Sequence, residues 1–171
     1  MINTVSYESP IGEIILASKN NKLIGLWFKN QKHYPQFKSI KKANEILKKT
    51  SSWLDLYFEG EKPDISELEL SPAGSDFRLK VWSILTEIPY GKTVSYGDIA
   101  KKIAGEMGIK RMSAQAVGGA VSHNPISIII PCHRVIASNG DMGGYAGGID
   151  RKIFLLNHEN YFKKESRFSR Y

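Results

Sequence analysis

Cysteine occurs once in the 171 residues, as Cys132. A single thiol excludes an internal disulfide framework and any cysteine-rich zinc site, and nothing else in the sequence points to a metal or a cofactor. No apolar stretch approaches the roughly 20 residues that span a bilayer, so no membrane partner is expected. Residues Met1 to Val5 lack the basic and apolar regions of a signal peptide, which makes a cytoplasmic, reducing location the expectation. Phosphate-binding glycine motifs are also missing: no G-x-G-x-x-G opens a helix and no Lys-Ser/Thr follows a glycine-rich loop. Internal repeats and low-complexity segments are absent. Acidic residues are few in the second half, where residues 76–171 carry fourteen Lys/Arg against eight Asp/Glu, while residues 1–75 carry ten against nine. That excess suggests that the C-terminal half faces an anion, nucleic acid first, with a solvated basic surface as the plain alternative.

What is present reads as an ordinary globular chain, 42% hydrophobic and 24% charged, with an α+β, two-domain plan. Residues 3–8, 13–18 and 23–28 are rich in strand formers and separated by Ser9-Pro10-Ile11-Gly12 and Lys19-Asn20-Asn21-Lys22, which predicts a small antiparallel meander. From Ile40 the pattern turns helical: Ile40, Ala43, Ile46, Leu47, Trp53, Leu54, Tyr57 and Phe58 form one stripe, ended by Gly60. Leu68 to Leu70 reads as a short strand. Ser71-Pro72-Ala73-Gly74 is the expected boundary between an N-terminal support domain, 1–74, and a C-terminal domain, 75–171.

The C-terminal domain reads as mostly helical. Ser75 or Asp76 caps a first helix that Pro89-Tyr90-Gly91 ends, and Ser95 with Asp98 forms a capping-box pattern for a second, stopped by Gly105. Ser113 caps a third helix running to His123, before Asn124-Pro125. Its residues Ala114, Ala116, Gly118, Gly119 and Ala120 leave almost no side-chain bulk. Two such helices in a basic half have the outline of a helix-turn-helix, although close helix packing would select the same small residues. Asp150 is the expected cap of a last helix carrying Ile153, Leu155, Leu156, His158 and Glu159, and a basic tail follows from Lys163.

The chemistry centres on Ile128-Ile129-Ile130-Pro131-Cys132-His133-Arg134-Val135-Ile136. The β-branched run predicts a buried strand that Pro131 ends, with Cys132 held at its tip. A lone cysteine is commonly a small buried hydrophobe. Here the neighbouring His133 and Arg134 offer the company a thiolate needs near neutral pH. In an extended chain Cys132 and His133 point to opposite sides, so a proton passes between them more readily through water than directly.

Pro131-Cys132-His133-Arg134-Val135, with Asn124-Pro125 upstream and Tyr145-Ala146-Gly147-Gly148 downstream, closely resembles the O6-alkylguanine-DNA alkyltransferases. The resemblance is dense over residues 75–160; the first 75 residues share only general character. It implies direct and irreversible repair: the protein binds double-stranded DNA through the helix-turn-helix in the minor groove, acts as a monomer, flips out an O6-alkylguanine and moves the alkyl group to Cys132. An O4-alkylthymine is a second possible substrate. Of the matched positions, His133 is the base acting through water, Glu159 orients it, Asn124 is a hinge, and Tyr96 helps rotate the nucleotide and donates to the leaving base. Tyr145, Val135, Ala146 and Arg134 match the base pocket, Arg134 as a structural member. Ser113, Ala114, Ala116, Gly118 and Gly119 match the DNA-facing helix, with Arg111 one turn upstream. One departure is plain: where many members carry an arginine that replaces the flipped base in the stack, this chain has Gln115.

Two other readings use the same residues. A recognition-only relative binds alkylated DNA without transfer, but such relatives lack the acceptor cysteine. A cysteine hydrolase needs an oxyanion hole and a separate base, for which only His123 and His158 offer themselves.

Overall fold

The computed structural model describes residues 1–160, so the basic tail lies outside the described residues. These residues form two compact units, one of residues 1–73 with 125–129 and the other of residues 74–124 with 130 onward.

The first unit is built on a four-stranded sheet of β1 (Ile2–Ser9), β2 (Gly12–Lys19), β3 (Lys22–Phe28) and β4 (Ile40–Lys41), ordered β3-β2-β1-β4. The first three strands are the antiparallel meander expected from the sequence. Asn20 and Asn21, with φ of 51° and 57°, supply the two left-handed residues that a tight hairpin needs. The short β4 pairs parallel to β1 through Ile40 and Lys41. These residues therefore do not begin the helix, as the apolar stripe suggested. Asn44 sets the start instead: its side chain accepts the Leu47 N–H, and α1 runs Glu45–Phe58. Ile14, Leu16, Leu26, Leu47, Leu54 and Tyr57 make the core between sheet and helix. Leu68 to Leu70 forms no strand; a single-turn helix at Ile65–Glu67 precedes an isolated bridge between Leu23 and Leu70.

The second unit holds α2 (Asp76–Leu85), α3 (Tyr96–Met107), α4 (Ala114–Ser122) and α5 (Ile149–His158), with β5 (Val94–Ser95) paired parallel to β6 (Val135–Ile136). Ser75 caps α2, which ends at Leu85 rather than at Pro89. The capping box at Ser95 and Asp98 is formed. Helix α3 passes through Gly105 and ends at Gly108 in the left-handed conformation. Ser113 caps α4 as expected. The cap of α5 is Gly148, with φ of 95°; Asp150 sits inside the first turn, where a carboxylate suits the helix dipole. Ile153 points outward at 40% exposure, and the buried stripe of α5 is Lys152, Leu155 and Leu156. No helix among the described residues is long and apolar enough to cross a membrane.

Candidate active site

The β-branched run before Cys132 is not a strand. After an isolated bridge between Ile126 and Leu26, the chain makes two three-residue turns. Ile128 has φ of 69° while the Ile129 N–H donates to the Ser127 carbonyl at 2.8 Å. Pro131, at φ −81° and ψ 65°, is the middle of the second, in which the Cys132 N–H donates to the Ile130 carbonyl at 2.8 Å. A left-handed isoleucine is strained and persists only where surroundings impose it. Cys132–Arg134 then form one 3-10 turn, and strand pairing begins only at Val135. The expectation that Cys132 and His133 alternate along a strand is therefore replaced by a tight turn.

Cys132 is 4% exposed and His133 fully buried. His133 Nε2 lies 2.7 Å from Glu159 Oε2. Glu159 is 2% exposed and also accepts from the Gly91 N–H at 3.1 Å and from Arg134 Nε at 2.8 Å and Nη2 at 3.2 Å. Burial by itself would raise the Glu159 carboxyl, but hydrogen bonds and charge from His133 and Arg134 prevail and hold it well below the usual carboxylate range. Burial also lowers His133, against the opposing pull of Glu159, so the imidazole is held neutral. A carboxylate only accepts, so the ring proton sits on Nε2 and Nδ1 keeps its lone pair. That Nδ1 is buried and has no hydrogen-bond partner among the described residues. The result is a desolvated base next in sequence to a thiol.

Asn124 is buried, and its Nδ2 donates to the Ile130 carbonyl at 2.8 Å, tying the end of α4 to the turn that carries Cys132. Half-buried Tyr96 opens α3; burial and the charge of Cys132 raise its hydroxyl, which keeps it a donor. Its ring lies over Gly118, where an added Cβ would stand 3.8 Å away, an ordinary van der Waals contact. The DNA-facing positions are separate from this cluster. Arg111, Ser113, Ala114, Gln115, Ala116 and Gly119 are all exposed, whereas Val117, Ala120 and Val121 bury the opposite side of α4. The small residues thus lie mainly on an open face rather than in a helix–helix seam. Tyr145 and Ala146 are half-buried. Arg134, grouped with the base pocket on sequence, instead gives Nε and Nη2 to Glu159 and Nη1 to the Ile88 carbonyl, with its guanidinium 5.7 Å from the centre of the Tyr90 ring. It belongs with His133 and Glu159.

A family profile described as the 6-O-methylguanine DNA methyltransferase DNA-binding domain matches residues 76–161, and one for the ribonuclease-like domain of the same proteins matches residues 3–72. The chain belongs to the 6-O-methylguanine DNA methyltransferase family. Among curated members it is 42% identical over 161 residues to the methylated-DNA–protein-cysteine methyltransferase of Mycobacterium leprae, covering 94% of each chain. It is 43% identical over 154 residues to that of Methanosarcina acetivorans, covering 90% of this chain and 95% of the relative. Among solved members, the Mycobacterium tuberculosis O6-methylguanine methyltransferase superposes with a TM-score of 0.78 at 40% identity over 93% of both chains. The same bacterium's protein in complex with DNA gives a TM-score of 0.81 at 39% identity, over 92% of this chain and 93% of that one.

Three parts of this member's site escaped the sequence reading. Gly91, Tyr90 and Lys152 have no motif of their own. Lys152 did leave a signal: with Leu155, Leu156 and Glu159 it occupies the i, i+3, i+4, i+7 positions of one stripe, so a lysine stands where a core residue belongs.

Proposed function

We propose that this chain repairs double-stranded DNA by moving the alkyl group of O6-alkylguanine onto Cys132, once per molecule. The observation that carries the reading is the buried cysteine beside a neutral histidine whose Nδ1 is free to accept and whose Nε2–H is held by Glu159. A water between Sγ and Nδ1 takes the thiol proton to His133, and Glu159 stabilises the imidazolium that forms. The thiolate attacks the alkyl carbon in line, the S–C bond forms as the C–O6 bond breaks, and the electron pair leaves with guanine. The Tyr96 hydroxyl donates to that departing base. A thioether offers water no labile bond, so Cys132 is not regenerated. O4-alkylthymine presents the same alkyl-oxygen bond and is a second substrate.

The base reaches this site by leaving the stack. Helix α4 enters the minor groove with its small exposed face, Ser113 and Arg111 flank it, and Gln115 fills the gap. Tyr145 stacks on the extruded base, and the backbone of Val135 and Ala146 reads its edge. Asn124 acts as the hinge between helix and acceptor. Residues 1–74 support residues 75–171, which bind DNA and accept the alkyl group; all the proposed site residues come from one chain, and it acts as a monomer. A reaction that consumes a reduced thiol suits the reducing cytoplasm.

Mixing the protein with a duplex that carries one O6-methylguanine and weighing it intact tests this. One methylene's mass should appear on Cys132 and be absent in Cys132→Ala. Binding without a mass change would overturn transfer and leave recognition alone.

Glutamine is shorter than arginine and neutral, so it fills the gap less well and lacks a phosphate-seeking charge. Gln115→Arg should speed transfer from duplex about tenfold and from single strands less than about twofold, because only the duplex demands that a flipped base be replaced. Equal gains on both substrates would remove the wedge role.

A further inference from the structure

Between α2 and β5 the chain makes a tight turn at Pro89. The Lys92 N–H donates to the Pro89 carbonyl at 3.1 Å, and Gly91, third of these four residues, has φ of 75° while Tyr90 before it does not turn positive. That is the type II pattern, whose third position calls for glycine. The turn makes no use of its central N–H, that of Gly91. This buried N–H instead donates to Glu159 Oε1 at 3.1 Å.

Two more groups of the same stretch reach the same cluster. The Ile88 carbonyl accepts from Arg134 Nη1 at 2.7 Å, and the Tyr90 ring lies against the guanidinium, 5.7 Å from ring centre to Cζ, within cation–π range. The Tyr90 hydroxyl stands 3.5 Å from the carbonyl of His158, the residue before Glu159. Glu159 Oε1 thus holds the Gly91 N–H and Arg134 Nε, while Oε2 is left to His133 Nε2 and Arg134 Nη2. The guanidinium alone grips both oxygens and would let carboxylate and fork swing together. A backbone donor on Oε1, with a carbonyl and a ring fixing the fork, removes that freedom and aims Oε2 at the imidazole.

We propose that the Ile88–Gly91 turn is a positioning element for alkyl transfer: the Gly91 N–H and the Tyr90 ring hold Glu159 and Arg134 so that Oε2 faces His133 Nε2 and fixes the tautomer whose Nδ1 takes the thiol proton. This rests on the alkyl-transfer reading above. The partner of one ring nitrogen decides where the imidazole proton sits, so whatever orients the carboxylate orients the base. Burial, with the charge of Glu159 added to it, raises the Tyr90 hydroxyl, so the ring stays neutral against the guanidinium. The charged or titratable groups facing the pair are His133 and Arg134 from the Cys132 turn, Tyr90 from this one, and Lys152 acting on the imidazole from α5.

Imidazole nitrogen NMR spectra of the full-length protein, which report the ring nitrogen that carries the proton, test this. They are read beside iodoacetamide alkylation of Cys132 across pH and single-turnover transfer from the O6-methylguanine duplex. Wild-type His133 should carry its proton on Nε2. Gly91→Ala puts a Cβ into the left-handed position and draws the N–H off Glu159; Tyr90→Leu takes the ring from the guanidinium. Each should show both tautomers, slow iodoacetamide about tenfold at neutral pH and move the profile up by about one pH unit, since a less basic His133 takes the thiol proton less readily. Transfer at saturating duplex should fall by a similar factor with the half-saturating concentration unchanged. Tyr90→Leu covers the case where Gly91→Ala does not fold, and Tyr90→Phe, which keeps the ring, should restore tautomer and midpoint. A merely structural turn would lower the reactive fraction and leave both in place. Wild-type tautomer and midpoint in either variant, once folded, would overturn the proposal. No transfer from the duplex by the wild type, with the tautomer still displaced in the variants, would instead defeat the alkyl-transfer reading and leave the hold of the turn on His133 standing.

Discussion

Glu159→Gln should slow transfer from an O6-methylguanine duplex about a hundredfold, since it removes the group that orients and charges the general base. The substitution keeps the shape of the side chain and changes only its charge and donor pattern. As a carboxylate, Glu159 accepts from Gly91, His133 and Arg134 together. An amide presents two donors in place of one of those acceptors. Either His133 loses the acceptor for its Nε2–H and the tautomer that leaves Nδ1 basic, or Arg134 faces a donor. The guanidinium, its side chain 11% exposed, is left without its counter-charge. Breaking a buried ion pair on one side costs about 3–5 kcal/mol. The thermal midpoint should fall with the activity, and single-turnover kinetics at a temperature where the variant is folded separate the two effects.

The pH dependence of stability follows from the same cluster. The unfolded chain leaves Glu159 with an ordinary carboxyl and His133 with an ordinary imidazole; folding lowers both. The unfolded state therefore binds more protons, and stability falls as pH falls. Loss should begin as pH drops through the ordinary histidine value near 6.5, where His133 contributes, and steepen through the carboxylate range, where Glu159 contributes. Urea melts from pH 8 to pH 4 read this directly. In Glu159→Gln the carboxylate part of the slope should disappear; an unchanged slope would show that other groups govern acid unfolding.

Asn124→Ala carries the second large effect. The Asn124 side chain is 3% exposed and donates to the Ile130 carbonyl two residues before Cys132. Removing the donor takes away one of the two hydrogen bonds on that buried carbonyl, at about 0.5–1.5 kcal/mol. The turn at Pro131 has its other hydrogen bond, from the Cys132 N–H, on the same Ile130 carbonyl. Release of the carbonyl therefore moves the acceptor itself. Because a nucleophile about 1 Å out of place can lose two orders of magnitude, transfer should drop more than stability alone explains. Asn124→Asp, which keeps the shape but has no side-chain N–H to donate, should behave like the alanine variant. Full activity in either would free Asn124 from the hinge role.

Much of the plan was legible in one dimension. Asn20-Asn21, Ser75, Ser95 with Asp98, and Ser113 act through their own backbone neighbours, and such local chemistry is written in the residues that make it. Cys132, His133, Glu159, Asn124 and Tyr96 were readable as a set through the family motif. Where neighbours in sequence stop deciding, the reading failed. Ile128, Ile129 and Ile130 carry strand propensity, yet they turn, because their backbone groups are taken by a two-residue-away carbonyl, by Asn124 and by Pro131's missing donor. Arg134 sits beside the base-pocket positions in sequence and with Glu159 in space.

The sequence by itself determined the meander, the caps of α2, α3 and α4, and the one thiol available as a nucleophile, since these depend on a side chain and the few residues beside it. Tertiary structure alone decided that His133 is neutral with its lone pair on Nδ1, that Glu159 holds both His133 and Arg134, and that Lys152 spans three carbonyls from the core of α5. Each of those facts is a matter of burial and of partners 8 to 26 positions away in the chain. Burial sets the protonation state, and distance along the chain carries no information about it.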